Sequence, residues 1–111
     1  MSVNRVILVG NVGRDPSIRY VGSCQLAEFS LATTERAYTN AAGVSVPERT
    51  EWHNIVMRDK AAEFAEKYIR KGSKLYIEGK LRTRVWVDRN ALKHNITEIY
   101  VETFDVLGRQ P

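Results

Sequence analysis

Residues 74–87, KLYIEGKLRTRVWV, decide the predicted fold because their side chains alternate in character over the length of a long β-strand. The odd positions are mainly aliphatic, whereas the even positions carry basic, acidic and aromatic side chains. Successive side chains of a strand point to opposite faces of its sheet. The pattern therefore predicts a strand with one face on a hydrophobic core and one basic face with aromatic residues.

The residues just before this strand predict a helix over residues 59–71. Their apolar side chains recur at helical spacing and form one stripe: Ala61, Phe64, Ala65, Tyr68 and Ile69. We expect the Asp59 carboxylate to cap the first turn and Gly72 to end the helix in a left-handed conformation. Arg70 and Lys71 should complement the negative end of the helix dipole.

Strands are expected on both sides of the helix. The upstream patterns predict strands over residues 3–12, 25–34 and 50–58, with a short extended piece at 18–21 and a long loop or hairpin arm at 35–49. Downstream, a strand at 95–107 follows a polar hairpin loop at 88–94. This order of elements predicts an all-β protein, a small antiparallel barrel plugged or capped by the single helix.

Composition places the chain among soluble globular domains. Its 111 residues are 43% hydrophobic and 27% charged, and they fit one domain. No apolar run approaches the roughly 20 residues of a membrane span, and the N-terminus has no signal-peptide pattern, so we expect a cytoplasmic protein without membrane contact. A single cysteine, Cys24, excludes an internal disulfide and a cysteine-based zinc cluster. The net charge of +4 permits an anionic partner without requiring one.

Nothing in the sequence favours catalysis. His53 and His94 are the two histidines, and neither has a sequence context typical of a nucleophile or a metal ligand. His53 shares a strand face with Ile55 and Met57, which favours a hydrogen-bonded histidine in the core or in a subunit interface. We therefore expect no catalytic residue, no metal site and no cofactor.

The even face of residues 74–87 is the candidate binding surface. It carries Arg82, Arg84 and Trp86, and the preceding strand adds Trp52, Asn54 and Arg58. Cationic side chains can follow phosphates while indole rings stack on unpaired bases of any sequence. A solvated basic strand and a protein interface are the alternatives, and Tyr76 could serve a subunit contact. Solvent-facing indoles favour binding, because an isolated domain gains nothing from exposing them.

Three stretches of sequence resemble the bacterial single-stranded DNA-binding protein family. They are VNRVILVGNVGRDPSIRY, TEWHNIV and AEKYIRKGSKLYIEGKLRTRVW, and the resemblance extends from about residue 3 to residue 107. It implies a five-stranded OB-fold, a Greek-key barrel with a helix between the third and fourth strands. It further implies a homotetramer that coats single-stranded DNA in replication, recombination and repair.

The resemblance also assigns roles to individual residues. Trp52 and Trp86 match base-stacking tryptophans, whereas Arg82, Arg84 and Lys71 match positions that follow the DNA backbone. His53 matches a subunit contact.

Two positions depart from the family pattern in the aromatic set. In ERAYTN, Tyr38 stands about where a third stacking tryptophan is usual, and the neighbouring Arg36 joins the candidate DNA-binding set. Arg58 replaces a stacking phenylalanine, which exchanges an aromatic platform for a phosphate contact or for arginine–base stacking.

The end of the chain is the other departure. The family usually continues into a flexible linker with an acidic tip, whereas this sequence ends at Pro111. We expect residues 1–108 to form the DNA-binding domain and residues 109–111 to begin a missing or truncated tail. Replication and repair proteins would be partners only where the native protein carries the acidic tail.

Two alternatives to this function stay open. One is a primosome-type or plasmid- or phage-borne OB-fold protein with a narrower role in nucleic-acid binding. The other is an OB-fold scaffold whose basic face binds RNA or protein.

Overall fold

The computed structural model describes residues 1–108, and the predictions about residues 109–111 lie outside this part of the chain. Eight strand segments and one helix follow one another in the order β1 to β6, α1, β7, β8. Their bounds are β1 Val6–Val12, β2 Ser17–Val21, β3 Cys24–Glu35, β4 Tyr38–Thr39, β5 Ser45–Val46, β6 Arg49–Arg58, α1 Lys60–Tyr68, β7 Lys74–Val87 and β8 Lys93–Leu107.

Five of the strands close a barrel. The hydrogen-bonded order is β1-β7-β8-β6-β3, and β3 pairs back onto β1 to complete the circuit. β1 pairs with the C-terminal half of β3 and β2 pairs with its N-terminal half. The two segments therefore follow one another along the same edge of β3. The predicted five-stranded barrel with one helix is therefore confirmed.

One pairing differs from the antiparallel barrel that the sequence predicts. β6 and β8 run parallel, with Ile55 opposite Ile99, whereas the other pairings of the barrel are antiparallel. The physical reason is the chain path. α1 and the reversed strand β7 lie between β6 and β8, so the chain has the same direction again when it reaches the open edge of β6.

The core lies inside the barrel beneath α1. Its largest fully buried side chains come from three strands, two from each, and from the residue that follows the helix: Phe29, Leu31, Ile55, Met57, Ile69, Leu75 and Ile77. The predicted inward face of β3, with Ala27 beside Phe29 and Leu31, is confirmed. On the helix, Ala62 and Ala65 are completely buried, while Tyr68 at the edge of the predicted stripe is exposed. Each large aliphatic or aromatic side chain buried in this way contributes about 1.5–3 kcal/mol.

The N-terminus of α1 differs from the predicted cap. Asp59 has φ 57° and its side chain makes no capping hydrogen bond. As a hydrogen-bonding and negatively charged neighbour, the Asp59 carboxylate instead raises the pKa of the Cys24 thiol, whose Sγ lies 3.8 Å from the carbonyl oxygen of Gln25. The prediction of a carboxylate cap at Asp59 is wrong because this positive φ takes the residue out of the conformation that a capping side chain needs.

The C-terminus of α1 confirms one prediction and corrects another. The Arg70 guanidinium donates to the carbonyl oxygens of Glu66 and Ile69, each at 2.8 Å, so it satisfies the end of the helix as expected. The helix ends earlier than predicted, however, because Ile69 turns to extended backbone and buries its side chain. Gly72 has φ 92°, but it shapes the turn into β7 and does not cap the helix.

Two hairpins project from the barrel. The β7–β8 arm consists of residues 81–97, and the β3–β6 arm consists of residues 33–50 with β4 and β5 near its tip. The radius of gyration is 16.4 Å, compared with about 13 Å for a compact domain of similar length. Residues 35–49, predicted as a long loop or a hairpin arm, form a hairpin arm, because β4 and β5 pair antiparallel within them.

The β7–β8 arm corrects the prediction of one continuous core face along β7. Leu81, Val85 and Val87 are all about half exposed, although their odd positions share the face of the buried Leu75 and Ile77. The cause is strand length. β7 has 14 residues and its barrel neighbour β1 has 7, so the distal half of β7 extends beyond the core that would bury it.

Candidate nucleic-acid interface

Strand register gathers most of the predicted binding residues on one side of the sheet. Asn54 of β6 lies opposite Glu98 of β8, which in turn lies opposite Arg82 of β7. We call this side the outer face. Its functional candidates and their neighbours are Arg19, Glu28, Trp52, Asn54, Arg58, Arg82, Arg84, Trp86, Glu98 and Tyr100.

Trp52 lies at the base of the β3–β6 arm and is 60% exposed. One edge of its indole lies over Gly13, where an added Cβ would come within 2.4 Å of the ring. Asn54, the next outward residue of β6, donates from its side-chain amide to the carbonyl oxygen of Thr97 at 3.3 Å. Gly13 therefore leaves room for the ring, and Asn54 ties β6 to the beginning of the β7–β8 arm.

Trp86 lies near the tip of the β7–β8 arm and is 43% exposed. His94 stacks on it, with 4.5 Å between ring centroids and 21° between the planes. His94 Nε2 is also 2.7 Å from an oxygen of Asp88, whose other oxygen accepts the backbone N–H groups of Asn90 and Leu92. The hydrogen bond with His94, followed by those from the backbone, lowers the pKa of Asp88. One face of the indole is thus covered by the His94 ring.

Two arginines of the outer face lie over the same aromatic ring. The guanidinium carbons of Arg58 and Arg82 are 5.9 and 5.2 Å from the centroid of Tyr100. Both distances fit cation–π contacts. The sequence analysis identified the two arginines but missed Tyr100, although alternation in residues 95–104, NITEIYVETF, could have placed it on the same face as Glu98.

Arg84 is engaged by an acidic partner on the neighbouring strand. Its Nε and Nη2 each lie 3.2 Å from one oxygen of Glu98, whose side chain is 4% exposed. Arg19 of β2 similarly lies 2.6 Å from Glu28 of β3. In each pair the carboxylate accepts a hydrogen bond from the guanidinium and raises the pKa of the arginine. The outer face therefore combines carboxylate-paired arginines with arginines that lie over Tyr100.

Lys71 occupies the turn between α1 and β7. Its backbone N–H donates to the Asp15 side chain at 2.8 Å, and the following Gly72 donates to the carbonyl of Val12 at 2.8 Å. This turn therefore adjoins the segment around Gly13 that contacts the indole of Trp52.

Arg36 and Tyr38 lie farther out, on the β3–β6 arm. Both are exposed, and Tyr38 lines a shallow groove with Val46 and Pro47. They follow Glu35, the last residue of β3, so they continue along the hairpin that carries Trp52 at its base. Their distance along the arm separates them from the central group of the outer face.

The two predicted interface residues lie in different places. His53 is half-buried, and its Nε2 lies 2.8 Å from the hydroxyl of Thr33. This hydrogen bond agrees with the structural role expected for it. Tyr76 of β7 lies beside Ile7 and Val9 of β1, which are 55% and 46% exposed. We call Ile7, Val9 and Tyr76 the β1–β7 patch.

Residues 1–108 contain no group of three or more histidine, cysteine or acidic side chains placed to hold a metal ion. In the same part of the chain, the nine-residue α1 is the only helix and is too short to cross a membrane.

Comparison with known proteins agrees with this geometry. The profile of the Single-strand binding protein family matches residues 3–107. A single-stranded DNA-binding protein of Bacteroides thetaiotaomicron is 54% identical over 110 residues, which cover 97% of this chain and 68% of that protein. Among solved structures, the Plasmodium falciparum SSB complex with ssDNA superposes with a TM-score of 0.85 at 33% identity and covers 97% of both chains. The predicted OB-fold is confirmed.

Proposed function

The chain belongs to the single-strand binding protein family, and from this premise we propose that it binds single-stranded DNA without sequence preference. Its role is to coat and protect DNA strands exposed during replication, recombination and repair. It acts by binding and not by catalysis. Residues 1–108 form the OB-fold binding domain, and the protein works in the cytoplasm at the nucleoid.

The observation that carries the proposal is the combination of exposed rings and cations on the outer face. Trp52 lies at the base of the β3–β6 arm and Trp86 lies near the tip of the β7–β8 arm. Both residues expose much of their indole surface. On the same face, Arg58 and Arg82 present guanidinium groups over Tyr100. Stacking needs an unpaired base and cannot occur on an intact duplex, so this arrangement favours single strands.

The remaining predicted residues extend this surface. Lys71 adds a cation next to the 12–15 segment on which Trp52 packs, while Arg36 and Tyr38 offer a further contact along the β3–β6 arm. Asn54 ties β6 to the base of the β7–β8 arm through its hydrogen bond with Thr97. Recruitment of replication and repair proteins is assigned to an acidic tail, where the native protein has one, and not to this domain.

The direct test is a titration with oligo-dT, monitored by tryptophan fluorescence, for the unaltered protein and for Trp52→Ala and Trp86→Ala. Each substitution should weaken binding by about 1–3 kcal/mol per lost stacking contact, to a similar extent at low and high salt. Val85→Ala is the matched control, because Val85 lies on the opposite side of the same arm and is 56% exposed. It should bind as the parent does.

The competing functions give different results in the same titration. Duplex DNA and RNA of equal length serve as competitors, at two salt concentrations. Equal affinity for duplex DNA would overturn the proposal, and a preference for RNA would favour the alternative of an OB-fold scaffold for RNA. Unchanged affinity in both tryptophan variants, without quenching in the parent, would place the site elsewhere.

We further propose a homotetramer, in which the β1–β7 patch is one contact surface and His53 lies near another. The patch supports this because Ile7 and Val9 expose aliphatic side chains on a regular strand, beside the ring of Tyr76. Contiguous exposed apolar groups of this kind are typical of protein interfaces.

Native mass spectrometry at micromolar protein concentration tests the assembly. The expected mass is that of four chains, and Val9→Lys should shift the population to smaller species because it places a charge within the patch. Val44→Lys is the matched control, since Val44 is 57% exposed on the β3–β6 arm away from the patch. A monomeric mass for the parent would contradict the proposal.

A further inference from the structure

Two carboxylates lie within the surface that we assign to an anionic polymer. Glu98 and Glu28 are on the outer face, and each is paired with an arginine of the next strand. Glu98 is the more informative of the two because it is central, lying opposite both Asn54 and Arg82 in strand register. Its side chain is 4% exposed, whereas that of its partner Arg84 is 43% exposed.

The geometry of this pair restricts what Arg84 can do. Nε and Nη2 face the two carboxylate oxygens at 3.2 Å each, the side-on bidentate arrangement that fixes the plane of a guanidinium. A phosphate that drew Arg84 away would leave a buried carboxylate without its counter-charge, which is strongly unfavourable. The flat surface of the guanidinium is not consumed by in-plane hydrogen bonds, and planar guanidinium groups stack on aromatic rings.

Other arginines of the outer face are placed differently. Within residues 1–108, neither Arg58 nor Arg82 has a carboxylate oxygen within ion-pair distance, and both lie over the Tyr100 ring. Their hydrogen-bond donors therefore remain available to phosphate oxygens. The outer face contains arginines of two kinds, which the sequence pattern RTR at 82–84 does not distinguish.

We infer that Arg84 is a base-stacking platform and that Glu98 is the positioning residue that holds it flat, an inference that rests on the proposed binding of single-stranded DNA. The pair contributes no net charge to the surface, so Arg84 adds contact area and shape without adding a phosphate contact. Arg84 and Trp86 are two residues apart on one strand face and form consecutive stacking surfaces along the β7–β8 arm. This role differs from the backbone contact that the family resemblance implies for Arg84.

The experiment measures oligo-dT affinity over a series of NaCl concentrations for the full chain and four variants. Arg84→Lys keeps a cation beside Glu98 but removes the planar group. Arg84→Met with Glu98→Gln removes both charges together, and Glu98→Gln alone removes only the counter-charge. Arg82→Met is the matched control, because Arg82 is on the same face of the same strand without a carboxylate partner.

The inference predicts a distinct result for each variant. Arg84→Lys should bind about fivefold or more weakly at every salt concentration, the factor that corresponds to loss of one weak stacking contact. The double variant should also bind more weakly, with the parent's slope of log affinity against log salt. Arg82→Met should flatten that slope by about 0.7, and Glu98→Gln, which frees the charge of Arg84, should steepen it by up to about 0.7.

The opposite results overturn the inference. Arg84→Lys with parental affinity, or a double variant that flattens the slope as Arg82→Met does, would make Arg84 an ordinary phosphate contact. A parent that does not bind oligo-dT would instead refute the proposed function. Arg84→Lys keeps the test open if the Glu98 variants fail to fold, since it leaves a cation beside the carboxylate, and circular dichroism of each variant identifies such failures.

Discussion

The two halves of β7 make the same alternating pattern serve different purposes. In the barrel, Leu75 and Ile77 are completely buried, whereas Leu81 and Val85 in the arm are 47% and 56% exposed. The barrel half has β1 on one side and β8 on the other, while the arm half has β8 alone beyond the reach of β1. Alternation thus determines which side chains share a face, and the neighbouring strands determine whether that face is buried.

Because of this difference, the barrel half of β7 contributes to stability and the arm half contributes to the binding surface. The barrel contains the residues that form the core, and it holds the outer face in a fixed register. The arms carry Trp52 at the base of one hairpin and Trp86 near the tip of the other, where both indoles can meet a flexible strand. A binding surface of this kind needs rigid strands beneath it and little cover above it, and the junction of barrel and arms provides both.

The largest expected effect tests this separation directly. Phe29→Ala should lower the free energy of unfolding by about 3–5 kcal/mol, because Phe29 is 1% exposed in the centre of the core. Val85→Ala should change it by no more than about 0.5 kcal/mol, as is usual for an exposed site. Urea denaturation at one fixed protein concentration measures both values. A cost above about 1 kcal/mol for Val85→Ala would show that the arm is covered in the assembled protein, and the comparison would fail.

The strands of the barrel could be predicted well because the pattern that identifies each strand lies within its own residues. The bounds of β7 and the inward face of β3, with Phe29 and Leu31, follow from alternation within one strand. The arms could not be predicted in the same way. Exposure of Leu81 depends on β1 beginning only at Val6, opposite Gly79, which is a property of another strand.

Individual residues of the candidate site could be predicted from the sequence, but the ion pair between Arg84 and Glu98 could not. Trp52, Trp86 and Arg82 were identified from their chemistry on the strand faces. The salt bridge between Arg84 and Glu98 can be recognised only from the register of β7 against β8, since the two residues are 14 positions apart. Asp59 shows a comparable limit at the helix, because its residue type is compatible both with a capping conformation and with the positive φ that it adopts.

A smaller effect is expected where the barrel positions an arm residue. Gly13→Ala places a methyl group in the space of the Trp52 ring, at 2.4 Å from the nearest ring carbon, and should turn the indole from its position. Oligo-dT binding should weaken by about 1 kcal/mol, the lower end of the range for one stacking contact. The measurement is a double-mutant cycle, in which Gly13→Ala should have no further effect on a Trp52→Ala background. An equal loss on both backgrounds would mean that Gly13 acts independently of the ring.

The smallest effect concerns the tip of the β7–β8 arm and its dependence on pH. The hydrogen bond with His94 and those from the backbone lower the pKa of Asp88. A carboxyl group whose pKa is lower in the folded state stabilises that state above its unfolded pKa, and the contribution is lost as pH falls through the folded pKa. The arm tip should therefore loosen below about pH 4, the ordinary value for an aspartate, while the barrel stays folded.

Trp86 reports on this change because His94 stacks on its ring and contacts Asp88. In a Trp52→Phe variant, the remaining tryptophan fluorescence should change as the solution is acidified below about pH 4, while far-ultraviolet circular dichroism stays constant. Asp88→Asn should abolish that acid transition, because the amide cannot titrate in this range. A transition that persists in Asp88→Asn would locate the titrating group elsewhere, and a simultaneous loss of circular dichroism would show that the arm and the barrel unfold as one unit.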